Sequence, residues 1–315
     1  MSFSNLDLVD ECDAFPYYQV DPPLYVASIS TYFELRVQDH DYAVGYMLPS
    51  VAEVFRNTPN WTLDDDERTL TLNGGSNAAE RSQAVMRTLI AVRQTGHFKV
   101  LDKWRNELYP VYGKNKELLF NVERSASPLL GVVTYGVHLT AFVRTKEGGL
   151  KIWTPRRART KQTYGGLLDN AVAGGIASGE GQFESLVREC GEEASLAEEL
   201  VRSKAKACGS VTYFHVRSEK AGGETRLLQP ECQYVYDLEL PADVTPKPGD
   251  DEVEEFYLWS VDEVQRAMAR GEFKPNCALV VLDFFVRHGI LTAENEKDYI
   301  EIVSRLHRKL EFPTL

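Results

Sequence analysis

Several things are scarce in this chain, and each scarcity closes a class of function. Its five cysteines, Cys12, Cys190, Cys208, Cys232 and Cys277, are odd in number, scattered, and form no CxxC pair. That spacing argues against a disulfide framework and predicts reduced, mostly buried thiols in a cytosolic compartment. No apolar run approaches the ~18 residues a membrane span needs. The opening MSFSNLDLVDECD has neither an apolar signal core nor an Arg-rich transit pattern. Positive charge is short as well: 35 Lys and Arg against 47 Asp and Glu leave a net charge of −12. A phosphate backbone needs a basic footprint, so general nucleic-acid binding is not expected. A small anionic substrate held by local cations stays open. No internal repeat or low-complexity tract occurs.

What is present reads as an ordinary soluble globular chain. A length of 315 residues favours about two domains, with the break near ERSASPLLG. We therefore expect an N-terminal α+β domain over 1–125, of unknown role, and a second domain over 126–315. In the first, Ser4 caps a short helix. WTLDDDERTLTLN predicts strands around an acidic turn. NAAERSQAVMRTLIAVRQTG predicts an amphipathic helix with Ala84, Val85, Leu89 and Val92 inward and Gly96 at its end. Trp104 and Tyr109 then stand either for core packing or for a lid over a pocket. In the second, VVTYGVHLTAFVRT and LKIWTPRRA predict paired strands around a Glu147-Gly-Gly turn. ACGSVTYFHV and LLQPECQYVYDLEL predict two more strands. Helices capped by Ser260, over FKPNCALVVLDFFVRHGI, and over NEKDYIEIVSRLHRKL close the chain.

The chemistry concentrates in GGIASGEGQFESLVRECGEEASL, residues 174–196. Glu189, Glu192 and Glu193, at i, i+3 and i+4, share one helix face, about 5–6 Å apart. Like charges so close are best neutralised by a hard divalent cation bound through oxygen. Phe183, Leu186, Val187, Cys190 and Ala194 make the opposite, buried stripe. Gly174, Gly175, Gly179 and Gly181 form a loop that can turn sharply and approach a ligand closely. Ahead of it, LLDNAVAGGI predicts a strand.

This stretch resembles a Nudix box: Gly174, Glu180, Arg188, Glu189, Cys190, Glu192, Glu193 and Leu196 stand at the family's spacing, and Ser195 replaces its final Gly. The departure bears on how the helix ends more than on the carboxylates. The resemblance implies a Nudix α/β/α sandwich with a mixed sheet over about 126–290, later helices packed on it, and a smaller α+β region before it. It also implies a hydrolase acting on phosphoric anhydrides with Mg²⁺ or Mn²⁺. WTPRRARTKQTYGGLLDNAVAGGIASG, PECQYVYDLELP, DDEVEEFYLW and GEFKPNCALVVLDFFVRHG are similar to a thiamin pyrophosphokinase-related Nudix subfamily whose members carry an extra N-terminal domain. That subfamily implies hydrolysis of thiamine diphosphate, or more readily its oxy- and oxo- forms, to the monophosphate, clearing damaged cofactor. Some fungal relatives are fused to a true kinase domain, for which residues up to Leu315 leave no room. The alternatives are a Nudix hydrolase of ADP-ribose or another nucleoside diphosphate derivative, and a catalytically silent ligand sensor.

The resemblance assigns metal binding to Glu189, Glu192 and Glu193, with the Gly174 carbonyl adding an oxygen. Arg188, at i+4 from Glu184 and four residues before Glu192, is expected to orient the cluster, and Glu180 can pair with it. Glu252 is the candidate general base or fourth ligand, with Asp251, Glu254 and Glu231 as competitors. Arg156, Arg157, Arg159 and Lys161 are clustered cations in an acidic chain and are candidates for gripping a diphosphate. Trp153, Tyr164 and Tyr213 are candidates for the wall that takes the organic group. His138, His215 and His288 lack metal spacing and default to structural roles. A small-molecule substrate is the only partner expected. Monomer and homodimer both remain open.

Overall fold

The computed structural model describes residues 2–315. The chain opens with α1 (Asn5–Cys12) and α2 (Pro22–Ile29). Ser4 caps α1: its hydroxyl accepts from the Asp7 N–H, and the Asp7 carboxylate accepts from the Ser4 N–H. Strands β1 (Phe33–Val37), β2 (Gly45–Met47), β3 (Trp61–Asp64) and β4 (Thr69–Leu72) form a small sheet in the order β2-β1-β4-β3. Short α3 (Pro49–Ala52) links β2 to β3, and α4 (Ala78–Gln94) follows the sheet. The expected stripe of α4, Ala84, Val85, Leu89 and Val92, is buried, and Gly96 takes the left-handed φ of 65° that releases the chain. A hairpin of β5 (Leu108–Tyr112) and β6 (Leu118–Glu123) packs on α4, and α5 (Ser127–Leu130) leads out of this half.

The second half holds β7 (Thr134–Arg144), β8 (Leu150–Arg157), β9 (Val172–Gly175), α6 (Gln182–Ala194), α7 (Glu198–Lys204), β10 (Lys206–Val216), β11 (Leu228–Glu239) and β12 (Val253–Ser260). Helices α8 (Val261–Ala269), α9 (Pro275–Arg287) and α10 (Tyr299–Leu306) complete it. Its sheet runs β10-β11-β7-β8-β12, with β9 paired to β7. β11 and β7 are parallel and their neighbours antiparallel, so the sheet is mixed, as the sequence implied. Leu186, Val187, Cys190 and Ala194 of α6 pack with Val137 and Leu139 of β7 on one side. On the other, Cys277, Leu279 and Phe284 of α9 pack with Phe142, Ile152 and Tyr213. Each fully buried large apolar side chain is worth about 1.5–3 kcal/mol, so these two layers fix α6 firmly against the sheet. All five cysteines are free thiols, four of them buried.

Candidate active site

Helix α6 begins at Gly181, two residues after Gly179 turns the chain at φ 84°. It ends on Ser195, which takes the left-handed conformation, φ 52°, that the family's glycine would adopt without strain. The helix end therefore survives the substitution, at a cost of roughly 1 kcal/mol.

The three carboxylates do not behave alike. Glu189 and Glu193, one turn apart, are 9% and 7% exposed, whereas Glu192 is largely in solvent. Burial pushes Glu189 up from the usual carboxylate range, against the pull of Arg188. Burial pushes Glu193 up to about 8, so the metal-free chain holds this group largely protonated at neutral pH. Arg188 is the organiser: Nε donates to Glu180 at 2.8 Å, and Nη1 donates to Glu189 and Glu192, each at 2.9 Å. Glu184, a predicted partner of Arg188, instead accepts from Arg202. Among the described residues no three acidic, His or Cys side chains form a preassembled cage, because Arg188 and Lys161 stand among the carboxylates.

Gly174 explains itself here. A Cβ on it would lie 2.5 Å from Glu189 Cγ and closer still to the carboxylate. The missing side chain lets Glu189 fold over the backbone of β9. The Glu193 carboxylate accepts from the Ala173 N–H at 3.0 Å, tying the other buried acid to the same strand.

Glu252 joins from far along the chain. A Cβ on Gly249 would strike the Glu192 carbonyl oxygen and lie 3.0 Å from that of Gly191. Lys247 N–H donates to the Ala194 carbonyl at 3.0 Å. The loop before β12 is thus pinned on the C-terminal end of α6, which brings Glu252 to Lys161. Lys161 Nζ bonds Glu252 Oε2 and lies 3.4 Å from Glu193 Oε1. Burial would raise Glu252, but the Lys161 hydrogen bond and charge outweigh it and hold the group below its usual range. Leaning toward Glu252, Lys161 leaves Glu193 only partly compensated.

Of the other predicted cations, Arg157 reaches the acidic cavity with its charge already paired. It is buried in an ion pair with Asp169, and Nε and Nη2 donate to the Tyr164 and Thr163 carbonyls. Arg156 donates to the Gly166 carbonyl and lies against the Tyr257 ring; it lines neither cavity described below. Arg159 is out in solvent, 3.9 Å from Glu254. The four cations therefore divide: Arg157 and Lys161 line the acidic cavity described next, while Arg156, the alternate residue on β8, does not.

The carboxylates line a cavity of about 420 Å³, with Asp250, Glu252 and Lys161. A larger recess of about 550 Å³ adjoins it. Arg105, Arg124, Lys274, Gln162, Thr163, Ala173 and Gly174 line both, so the two cavities share a cationic collar. Arg124 Nη1 donates to Glu107 at 2.8 Å; among the described residues Arg105 and Lys274 make no ion pair within 4.0 Å. These three cations were missed in the sequence, being basic residues 19 to 169 positions apart whose meeting only the fold creates. Gly175 makes the meeting possible. A Cβ there would lie 2.7 Å from Tyr109 Cζ, so the hairpin of the first half docks directly on the strand before α6.

Tyr109, Tyr164, Tyr213, His138 and His215 wall the recess. Trp153, expected among the wall residues, is buried in the core beneath α6 instead. His288 pairs with Asp237 away from both cavities.

Residues 134–277, from the first residue of β7 into α9, match the family model for the NUDIX domain. The chain carries a Nudix domain. Residues 27–134, ahead of that Nudix domain, match a model described as a domain of unknown function, DUF4743. The chain is 45% identical over 217 residues to the uncharacterized protein YJR142W of Saccharomyces cerevisiae, covering 67% of this chain and 63% of the relative. It is 37% identical over 207 residues to Nudix hydrolase 20, chloroplastic, of Arabidopsis thaliana, covering 65% and 53%. The matched part thus spans 53% to 63% of the length of these two curated relatives. A solved structure of DR0079 from Deinococcus radiodurans covers 55% of this chain and 97% of its own at 22% identity, with a TM-score of 0.39. Among the described residues, no helix is long and apolar enough to cross a membrane.

Proposed function

We propose that this chain is a divalent-metal-dependent diphosphate hydrolase, and that its substrate is thiamine diphosphate or one of its oxy- or oxo- forms, cleaved to the monophosphate and phosphate. One juxtaposition carries the hydrolase reading: an acidic pocket opens through a collar of Arg105, Arg124 and Lys274 into a tyrosine-walled recess. Metal, diphosphate and organic group each have a zone of fitting chemistry, in that order. The downstream sequence phrases support the thiamine assignment.

The donor set fits a hard cation such as Mg²⁺ or Mn²⁺. It is all oxygen, and its two buried acids, Glu189 and Glu193, are under-compensated. Glu189 and Glu193 would hold the ion, with Glu192, Glu252 and the Gly174 carbonyl as further oxygens. Bound there, a divalent cation shields phosphate charge and acidifies a coordinated water. The rest falls to the chain's own groups. Arg105, Arg124 and Lys274 receive the diphosphate oxygens; the Arg forks add direction and the Lys adds a point charge. Arg188 keeps Glu189 in one orientation. Lys161 holds Glu252 ionised through Oε2, which leaves Oε1 to accept the proton of an attacking water.

The test is phosphate release with Mg²⁺ or Mn²⁺, and with EDTA, from thiamine diphosphate, its oxy- form, ADP-ribose, a dinucleoside polyphosphate and a nucleoside triphosphate. Metal-dependent turnover led by the thiamine compounds is the expected result. Turnover led by ADP-ribose keeps the mechanism and discards the substrate. Retained turnover in a Glu192→Gln, Glu193→Gln double variant sinks the mechanism, because that variant removes charge while keeping shape. Binding with no turnover of any compound moves the reading to a ligand sensor.

A further inference from the structure

One face of three adjacent strands, β10, β11 and β7, carries polar side chains where a sheet interior normally carries apolar ones. Tyr213 and His215 of β10, Glu231 and Gln233 of β11 and His138 of β7 all line the larger recess. The register sets Tyr213 opposite Glu231 and His215 opposite Gln229. Such groups are costly in a protein interior unless each finds a partner.

Most do. Gln233 Nε2 donates to Tyr213 Oη at 3.1 Å and to Glu231 Oε2 at 2.7 Å, and Tyr213 Oη donates to the same Oε2 at 2.6 Å. His138 Nδ1 pairs with Asn170 Oδ1 at 2.7 Å. Two atoms stand out. Glu231 Oε1 receives only Gln229 Nε2, at 3.4 Å. His215 Nδ1 lies 3.2 Å from the Cys12 carbonyl oxygen, an acceptor, so Nδ1 carries the hydrogen. His215 Nε2 is then left buried with no partner, in a residue only 8% exposed. Burial lowers the His215 pKa, so the ring stays neutral and Nε2 is an acceptor. A carboxylate oxygen and an imidazole nitrogen, both short of a donor, thus belong to two residues that line one cavity walled by Tyr109 and Tyr164.

We infer that this recess binds a nitrogen heteroaromatic ring that presents N–H donors to Glu231 Oε1 and His215 Nε2, with its face against the tyrosines. The inference deepens the diphosphatase reading and rests on it for orientation: the ring lies on the sheet floor and the phosphates reach back to the collar. A ring edge of C–H groups leaves both acceptors desolvated and unpaired, so the floor discriminates by penalty as well as by attraction.

Binding tests this without catalysis. Full-length protein in EDTA is titrated calorimetrically with thiamine monophosphate and with its 4′-deamino analogue, in which hydrogen replaces the ring amine. The wild-type protein should bind the amine at least about tenfold more tightly, since a hydrogen bond to a charged acceptor is worth about 1.5–3 kcal/mol. Glu231→Gln, nearly the same in shape, should shrink that preference to within about threefold, against the same tenfold expectation. Equal affinities in the wild-type protein within this pair and within the adenosine pair below, no binding of any ligand, or an unchanged preference in Glu231→Gln would each overturn the assignment. The wild-type comparison decides even if the variant folds poorly. A second pair, adenosine monophosphate and its 6-deamino analogue, separates ring identities. An amine preference confined to that pair keeps the recess assignment and discards thiamine. An amine preference in a protein that turns nothing over keeps the recess and discards the hydrolase.

Discussion

Substituting Gly174 by Ala isolates one atom's worth of the site. The new Cβ would sit 2.5 Å from Glu189 Cγ, where ordinary contact starts near 3.4 Å. Relief therefore takes a displacement of about 0.9 Å at Cγ, from 3.4 − 2.5, and more at the carboxylate, which lies closer still. The backbone of β9 is held by its pairing with β7, while Glu189 is a rotatable side chain, so the carboxylate moves. Gly174 has no positive φ, so the change adds no backbone strain of its own. A misplacement of about 1 Å at a reacting centre costs on the order of 10²-fold in rate. Gly174→Ala should accordingly lose about 10²-fold in kcat/KM on whichever diphosphate the wild-type enzyme cleaves, with thermal stability close to the wild type. Mn²⁺ binding followed by electron paramagnetic resonance should weaken in parallel. Gly191→Ala is the control within the same motif. Nothing lies within 4 Å of its Cβ, and an Ala inside α6 should stabilise by roughly 0.5–1 kcal/mol. A Gly174→Ala enzyme within threefold of wild type and unchanged in Mn²⁺ affinity would refute the reasoning.

Three further predictions follow from packing and charge. Burial pulls buried His138 down to about 4 from 6.5, so the unfolded chain takes up the proton first as pH falls. This contribution to stability is complete above pH 6.5 and is lost toward pH 4, by roughly 2 kcal/mol between pH 7.5 and 5.0; urea melts of the wild type and His138→Gln should differ in that slope. Arg157→Ala strands Asp169 in the interior and should cost about 3–5 kcal/mol in denaturant melts, with partial recovery in an Arg157→Met, Asp169→Asn double variant. Ser195→Gly removes a left-handed side chain at the end of α6 and should gain roughly 1 kcal/mol, read as a higher melting temperature.

The sequence made the box helix legible because everything that defines it is local: the apolar stripe, the acidic spacing and the glycine loop lie within 23 residues. The order of strands and helices was legible for the same reason. The cations of the collar were not. Arg156 and Arg157 drew attention by clustering, yet Arg156 lines neither cavity, and Arg157, on the wall of the acidic one, is already paired with Asp169. Arg105, Arg124 and Lys274 stand apart in the sequence and are gathered by docking of the β5–β6 hairpin and by the start of α9. The split among the three glutamates was invisible too, since one helix face can run from core to solvent. The recess floor did leave a trace. Tyr213 and His215, and Gln229, Glu231 and Gln233, alternate along strands whose other residues are mostly apolar. Polar alternation facing inward is a signal that could have been read as a ligand floor.

The contact between Tyr109 and Gly175 divides responsibility for catalysis and selectivity along the chain. The corner that would hold metal is built by β9, α6 and the loop before β12, while a large share of the recess wall comes from residues 99–128. Drift in that hairpin and its flanks, outside the Arg105, Glu107 and Arg124 that also line the acidic cavity, can retune what fits the recess and leave that cavity untouched. Two proteins with the same box can therefore differ in substrate because of residues that lie before it. Grafting 99–128 between relatives is then a way to exchange specificity, provided the glycine that admits the tyrosine travels with the acceptor.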